Sequence, residues 1–298
     1  MRNAIAKEII QKAKENKDFF LIAGDAGLGL WDNYQVSYKA QYLNAGINES
    51  CSIGVAAGLA LSGKKVVYYN IAPFSIMRPY EQMRNDICYQ ELPVILIGIG
   101  SGLTYAPSGM THYAIEDIAV ALSMPNLQIF SPSDSIETIA CFNYAYNSNK
   151  PSYIRIPKAG DPVFHNDLAT IDITEPQVLR TSGEDILLLT HSNIANEVLN
   201  AGEMLNASVA TLPYLNTTNI KLQNLLDSYK YIFVIEEHFE YGGLGTLLKD
   251  KFSVNINKIA IPNHYIHKIG KQNFLRQYFG LSAEQIIKKV KQQIRGTI

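Results

Sequence analysis

Short apolar runs alternate along the chain with segments whose apolar residues recur at helical spacing. In the first half the runs occupy residues 19–23, 65–71, 93–98, 127–130 and 153–156. Strands that are covered on both faces read as nearly continuous apolar runs, whereas crossover helices repeat every 3.6 residues. The alternation therefore predicts an α/β fold with a mostly parallel sheet flanked by helices.

The second half resumes this pattern after an interruption. Between residues 160 and 185 the periodicity loosens around Pro162 and Pro176, which is typical of an interdomain connection. Afterwards, residues 185–189, 207–212 and 231–235 are predicted strands, and residues 194–205 are a predicted helix. We predict two domains of the same α/β class, at residues 1–165 and 185–298, joined by a linker at 166–184.

Two predicted helices have distinctive compositions. Residues 48–61 are rich in glycine and alanine, and Gly63 follows as a C-terminal cap, so this helix can pack closely against a sheet or a cofactor loop. Residues 1–18 place Ile5, Ile9 and Ile10 among lysines and glutamates. That spacing indicates an amphipathic helix rather than a signal peptide.

The overall charge and the cysteines exclude several function classes. The 298 residues carry a formal net charge of −1, so the electrostatic basis for binding nucleic acid or an acidic membrane is missing. No apolar run reaches about 18 residues, and we expect a cytoplasmic protein with no membrane span. Cys51, Cys88 and Cys141 show no CxxC spacing, which favours free thiols over a disulfide framework or a zinc site. No metal ligands are predicted in this chain.

Five motifs follow one another in an order that resembles transketolases and deoxyxylulose-phosphate synthases over nearly the whole chain. They are Gly46-Ile47-Asn48-Glu49, the stretch FSIMRPYEQMRND at residues 74–86, Gly109-Met110-Thr111-His112, Ser131-Pro132-Ser133-Asp134 with Glu137, and Glu236-Glu237-His238 followed by Gly242-Gly243-Leu244-Gly245. By itself the last, glycine-rich motif is weak evidence for a nucleotide loop. In the resembling family it belongs to a domain that chiefly supports dimer assembly.

The resemblance implies that Glu49 and Phe74 bind the aminopyrimidine ring of thiamine diphosphate. A carboxyl group beside the ring assists its proton exchange, and an aromatic side chain stacks on the flat heterocycle. Taken alone, Glu49 would be a helix-start glutamate that complements the helix dipole, and Phe74 a core residue. The order of the motifs favours the functional interpretation, although Ile71 and Met77 stand where the family often has aromatic residues.

Three further residues are assigned by the same resemblance. Arg78 lies on a helix that is near the cofactor and the subunit interface in the family, although its helical spacing to Glu81 and Arg84 also fits an exposed charge ladder. His112 is predicted to be catalytic, because it can donate a hydrogen bond to a substrate oxygen or carry a proton near neutral pH. Asp25 follows the first strand, where the family has an aspartate that faces cofactor or substrate; a turn-forming aspartate is the alternative.

The predicted substrate contacts depart from ordinary sugar-phosphate transketolases at three positions. Lys158 stands where the family usually has a phosphate-binding arginine, and a lysine lacks the bidentate fork of a guanidinium. Ser108 replaces an aspartate that reads a donor hydroxyl, and Gly100 replaces a histidine near the substrate. We therefore expect an unusual sugar donor or acceptor.

Half of the cofactor site is missing from this sequence. The nearest approach to the family's Gly-Asp-Gly diphosphate motif is Gly160-Asp161-Pro162, which fails at its third position. A partner subunit that carries the diphosphate-binding domain and most of the Mg²⁺ ligands is implied, in a heterotetramer. The predicted function is transfer of a two-carbon ketol unit from a ketose to an aldose, and we expect the ketose to be phosphorylated. The alternatives are the β subunit of a 2-oxo acid dehydrogenase and a non-catalytic transketolase-like binding subunit.

Overall fold

A computed structural model describes residues 1–158, 161–216 and 218–296. Gly160, which begins the predicted interdomain connection, lies outside the described residues. The first sheet has six parallel strands in the order β2-β1-β3-β4-β6-β5. They are β1 (Phe19–Ala23), β2 (Tyr42–Asn44), β3 (Lys65–Ile71), β4 (Val94–Ile99), β5 (Gln128–Phe130) and β6 (Ser152–Ile156).

Helices cover both faces of this sheet. The N-terminal helix buries Ile5, Ile9 and Ala13 on one side, as its amphipathic spacing predicts. A short π-helix at Met83–Cys88 continues the fifth helix. The helices are α1 (Arg2–Glu15), α2 (Asp32–Ser37), α3 (Glu49–Leu61), α4 (Ala72–Ile76), α5 (Tyr80–Gln82), α6 (Asp117–Leu122) and α7 (Ser135–Ser148).

The second sheet has five strands in the order β11-β10-β8-β9-β7. All neighbours are parallel except β7, which pairs antiparallel with β9. The strands are β7 (Gln177–Arg180), β8 (Ile186–Thr190), β9 (Ser208–Thr211), β10 (Tyr231–Phe239) and β11 (Ile256–Ile261). The helices are α8 (Ala195–Leu205), α9 (Ile220–Asp227), α10 (Leu244–Lys251), α11 (Gln272–Phe279) and α12 (Ala283–Arg295).

The predicted fold class is confirmed, with two local corrections. The predicted linker at 166–184 contains β7, so the second sheet begins before residue 185; this edge strand is mostly half-buried and shows no apolar run. Strand β10 also continues past residue 235 through Glu236, Glu237 and His238, all buried. The assignment of residues 1–165 and 185–298 to separate domains stays a prediction.

In each sheet, one reversal of strand order makes the chain leave two neighbouring strands in opposite directions. In the first sheet, β2 lies on one side of β1 and β3 on the other; in the second, β9 and β10 flank β8 in the same way. In open α/β sheets such a reversal leaves a crevice outside the carboxyl ends of the two diverging strands. We call the two places the β1/β3 crevice and the β8/β10 crevice.

Polar groups join the two sheets across a buried boundary. The amide of Ser131 donates to the carbonyl oxygen of Pro213 at 2.8 Å, and that of Ser192 to Ser131 at 3.1 Å. The guanidinium of Arg155, fully buried on β6, donates to the carboxylate of Asp117 at 2.7 Å and to the carbonyl of Ala114 at 2.8 Å. The buried charge of Arg155 is thus paired within the first half of the chain, as a buried charge must be, and its Nη1 lies 3.5 Å from Nδ1 of His191 in the second half.

Candidate active site

Glu49 is the first residue of α3 and enters the β1/β3 crevice from the loop that follows β2. Its side chain is 7% exposed. One carboxylate oxygen, Oε1, accepts from Nη1 of Arg78 at 2.7 Å and from Nδ2 of Asn70 at 3.5 Å. Asn70 is itself buried near the end of β3 and donates to the hydroxyl of Tyr68 at 2.8 Å. The carboxylate is thus held in a crevice between two nitrogen donors.

Phe74 lies beside this carboxylate on α4. The guanidinium carbon of Arg78 is 3.8 Å from the centroid of the Phe74 ring, which is within cation–π distance. Arg78 therefore touches Glu49 and Phe74 together, although its side chain is 45% exposed. The planar guanidinium thus contacts both the carboxylate and the aromatic ring.

His112 and Lys158 extend the site from the far side of Phe74. The imidazole of His112 meets the ring of Phe74 edge-on at 5.1 Å between centroids, and its Nδ1 lies 2.9 Å from the hydroxyl of Thr111. The ring of Tyr105 follows at 6.0 Å from His112, and Nζ of Lys158 lies 5.3 Å from the Tyr105 centroid. Five predicted site residues thus form one continuous row of side chains with Tyr105: Glu49, Arg78, Phe74, His112 and Lys158.

Gly100 and Ser108 belong to the loop that carries His112. Gly100 has φ +95°, and a Cβ atom there would lie 2.1 Å from the Tyr105 ring, so that ring fills the space a larger residue would need. Ser108 is exposed at the end of a 3₁₀ turn, Ala106–Ser108, that precedes the His112 turn. We call residues 100–112 the substrate loop.

Asp25 lies at the same end of the first sheet, directly after β1, and has φ +51°. It is exposed, and the described residues offer no hydrogen-bond partner to its carboxylate. The preceding Gly24 approaches the β3 side so closely that a Cβ atom would lie 2.3 Å from Nδ2 of Asn70. Asp25 therefore borders the crevice but does not contact the row.

Comparisons with known proteins agree over the whole chain. A family model described as transketolase, pyrimidine binding domain, matches residues 1–160. One subunit of an apulose-4-phosphate transketolase from Actinobacillus succinogenes is 30% identical over 96% of this chain and 96% of its own length. The chain belongs to the transketolase family.

Two further matches show which part of a transketolase this is. A putative transketolase C-terminal section from Methanocaldococcus jannaschii is 26% identical over 99% of this chain and 96% of its own length. A split-gene transketolase, solved as an inactive β4 tetramer, superposes with a TM-score of 0.83 at 25% identity, over 98% of this chain and 96% of that one. The chain thus corresponds to the C-terminal subunit of a split transketolase, an enzyme family of thiamine diphosphate-dependent transferases. The dehydrogenase and non-catalytic alternatives receive no support from these matches.

Three residues at the site carried no clear sequence signal. Asn70 sits inside an apolar run, and Tyr105 sits in a loop where only the neighbouring Gly-x-Thr-His stood out. Arg2 begins α1, and its Nε is buried with no hydrogen-bond partner among the described residues. Burial raises the pKa of Tyr105, and the nearby charge of Arg2 opposes that rise. Arg2 is therefore a cation close enough to Tyr105 to act on its hydroxyl group.

Metal-binding clusters and membrane spans are both missing from the described ranges. Within them, no group of three or more histidine, cysteine, aspartate or glutamate side chains could hold a metal ion. None of the described helices combines the length and apolarity needed to cross a bilayer.

Proposed function

We propose that this chain supplies the pyrimidine-binding side of a thiamine diphosphate site and, with a second subunit, transfers a two-carbon ketol unit from a ketose to an aldose. One observation carries the proposal. The planar guanidinium of Arg78 is hydrogen-bonded to Glu49 while it lies over the Phe74 ring. These are the two contacts that an aminopyrimidine ring needs, and the half-exposed Arg78 can release both.

Each residue of the row receives a role. Glu49 holds a proton beside the pyrimidine nitrogen, Phe74 stacks on the ring, and Asp25 and Arg78 border the bound cofactor. When bound, thiamine diphosphate supplies the nucleophilic carbon and the electron sink for carbon–carbon bond cleavage. His112 donates a hydrogen bond or a proton to a substrate oxygen, for which its position in the row is suited.

The partner supplies what this sequence lacks. A diphosphate group and its Mg²⁺ need a dedicated binding domain, and the family's motif for it is missing here. We propose that an N-terminal transketolase subunit provides this domain in a heterotetramer. The inactive β4 tetramer of the split-gene relative supports this division of the site.

The sugar is proposed to carry a phosphate. Lys158 and Arg2 place two cations near Tyr105, with the lysine 5.3 Å from its ring. Ser108 and the Tyr105-filled space at Gly100 give the substrate loop fewer charged contacts than ordinary transketolases have. Relatives named for apulose 4-phosphate make that sugar the first donor to test beside xylulose 5-phosphate.

The test is reconstitution from separately purified subunits. We expect no turnover from this chain alone with thiamine diphosphate and Mg²⁺, and turnover after the N-terminal subunit is added. Steady-state kinetics with apulose 4-phosphate, xylulose 5-phosphate and ribose 5-phosphate would then rank the sugars by kcat/KM. Activity of the single chain, shown to be free of partner by mass spectrometry, would refute the split site. If xylulose and ribose phosphates give the highest kcat/KM, the proposed unusual substrate is wrong.

A further inference from the structure

The β8/β10 crevice is filled by the substrate loop. At this crevice, Ser192 follows β8, and Glu237 lies near the end of β10. The hydroxyl groups of Ser101 and Ser192 are 2.8 Å apart, and the amide of Leu103 donates to Oε2 of Glu237 at 2.9 Å. A place where open α/β sheets usually bind a ligand is therefore occupied by a loop of the first sheet.

The backbone of the loop is shaped for this contact. Gly102 has φ +61°, and a Cβ atom there would lie 2.3 Å from Oε2 of Glu237. Only glycine combines this conformation with this approach. The carboxylate of Glu237, 3% exposed, is also paired through Oε1 with Nε of Arg276 on α11. Oε1 of Glu237 thus pairs with α11 alone, whereas Oε2 accepts both from Leu103 of the substrate loop and, at 3.1 Å, from Nε2 of Gln272 on α11.

The far end of the loop also rests on the second half of the chain. The hydroxyl of Tyr113 lies 2.9 Å from the carbonyl oxygens of both Ala106 and Lys268. The side chain of Ile269 covers Gly109, where an added Cβ atom would lie 3.3 Å from it. Between these two attachments lie Tyr105, Ser108 and His112.

We infer that Glu237, held by Arg276, is a positioning residue for sugar binding, because it fixes the backbone of the substrate loop that presents Tyr105, Ser108 and His112. Glu237 does not touch the substrate and acts through Leu103. The expected change in sugar KM rests on the proposed function, whereas the expected change in the backbone of the substrate loop does not.

The test compares Glu237→Gln with Glu236→Gln. A glutamine at 237 turns either its oxygen or its NH₂ group toward Leu103, so one of the two N–H donors, Leu103 or Arg276, loses its acceptor. The neighbouring Glu236 is also buried, but it accepts from Leu244 and Gly245 at 2.8 and 3.0 Å, at the start of α10, lies 3.5 Å from Nε2 of His191, and makes no hydrogen bond to the loop. It is the matched control for the loss of a buried charge.

Two measurements separate positioning from general stability. In the full chain, hydrogen–deuterium exchange of residues 100–113 is expected to be at least about tenfold faster in Glu237→Gln and unchanged in Glu236→Gln. In the reconstituted complex, Glu237→Gln is expected to raise the sugar KM by about tenfold or more, the loss expected for a hydrogen bond to a charged group. Cofactor affinity should stay within about twofold, because Glu49 and Phe74 lie in the other crevice.

Several outcomes decide the inference. Unchanged exchange at residues 100–113 in Glu237→Gln would overturn it. The inference would also be overturned if the double variant, Glu237→Gln with Arg276→Leu, regained both the wild-type Tm and the wild-type sugar KM. That result would mean that the Glu237–Arg276 pair acts only through stability. If Glu237→Gln does not fold, Ser192→Ala removes the milder contact and must still accelerate exchange in the same residues. Faster exchange in a complex without transketolase activity would reject the proposed function and keep the positioning role.

Discussion

The two crevices arise from the same reversal of strand order but are filled differently. In the β1/β3 crevice the carboxylate of Glu49 meets Arg78, whose side chain is 45% exposed. In the β8/β10 crevice the carboxylate of Glu237 meets Arg276 and a backbone amide, and both charged side chains are less than 10% exposed. The first pair is the one that we propose a ligand replaces, whereas the second lies beneath the substrate loop of the chain itself.

The energetics of ion pairs explain this difference. Water screens a pair with a half-exposed partner, so the Glu49–Arg78 pair is held less firmly than a pair that is buried on both sides. Removing one partner of a buried pair costs about 3–5 kcal/mol, because it leaves an uncompensated charge. The same topology therefore accommodates the proposed binding site at one crevice and a structural attachment at the other. The motif Glu236-Glu237-His238, which suggested only support for assembly, lies at the second crevice.

The largest effect on turnover is expected for a substitution of Glu49 in the β1/β3 crevice. We expect Glu49→Gln to lower turnover of the reconstituted complex by at least about a hundredfold, because general acid–base assistance typically contributes 10²–10⁴. Folding should be nearly unaffected, since the amide can still accept from Arg78. Glu81→Gln, at an exposed position on the adjacent helix, is the control. Wild-type turnover of the Glu49 variant at saturating cofactor would remove this residue from the mechanism.

A smaller effect, on the KM for the sugar, is expected for Lys158 at the end of the row of side chains. Lys158→Met should raise the KM for a phosphorylated donor by about tenfold, the loss of one charge-assisted contact. Lys150→Met is a matched control, since Lys150 precedes β6 and Lys158 follows it at the opposite end of the same strand. Steady-state kinetics with a phosphorylated ketose and its unphosphorylated form measure the effect. Equal changes in KM for both sugars would argue against phosphate contact at Lys158.

The smallest effect concerns the boundary between the two sheets, where Glu137 of α7 accepts from Thr211 of β9. Burial raises the pKa of Glu137 to about 7 from its ordinary 4.5. The folded state therefore binds this proton more tightly than the unfolded state does. The stabilisation is complete below pH 4.5 and is lost as the pH rises through about 7.

Glu137→Gln should remove this part of the pH dependence, because an amide does not titrate. Between about pH 5 and pH 8, the free energy of unfolding of the wild type should fall more than that of the variant. Urea unfolding of the full chain across this range measures both slopes. Nearby His165 contributes in the same direction: burial lowers the pKa of its imidazole, but the bond to Asp134 and the charge of Glu137 raise it overall. The variant also loses the part of this shift that the charge of Glu137 supplies. Glu184→Gln, at an exposed loop position, should keep the wild-type slope.

Much of the fold was predictable because buried parallel strands leave a clear pattern. The predicted runs at residues 19–23 and 65–71 coincide with β1 and β3. Strand β2 was missed because its three residues are at most half-buried, and β7 because its mostly half-buried residues form no apolar run. The predicted end of β10 was wrong because Glu236 and Glu237 look like surface residues, and only their partners on α10 and α11 allow them to be buried.

The alternation of apolar runs by itself predicted two α/β halves, and the order of chemical motifs along the sequence determined the family and predicted that a partner supplies the diphosphate side of the site. It also placed Glu49, Phe74 and His112 in one predicted site, because each belongs to a local motif. Only the tertiary structure decided that Tyr105 fills the space beside Gly100 and that Glu237 holds Leu103, 134 residues away along the chain. Such contacts depend on which strands become neighbours at the carboxyl ends of the sheets, and no local pattern of residues encodes that adjacency.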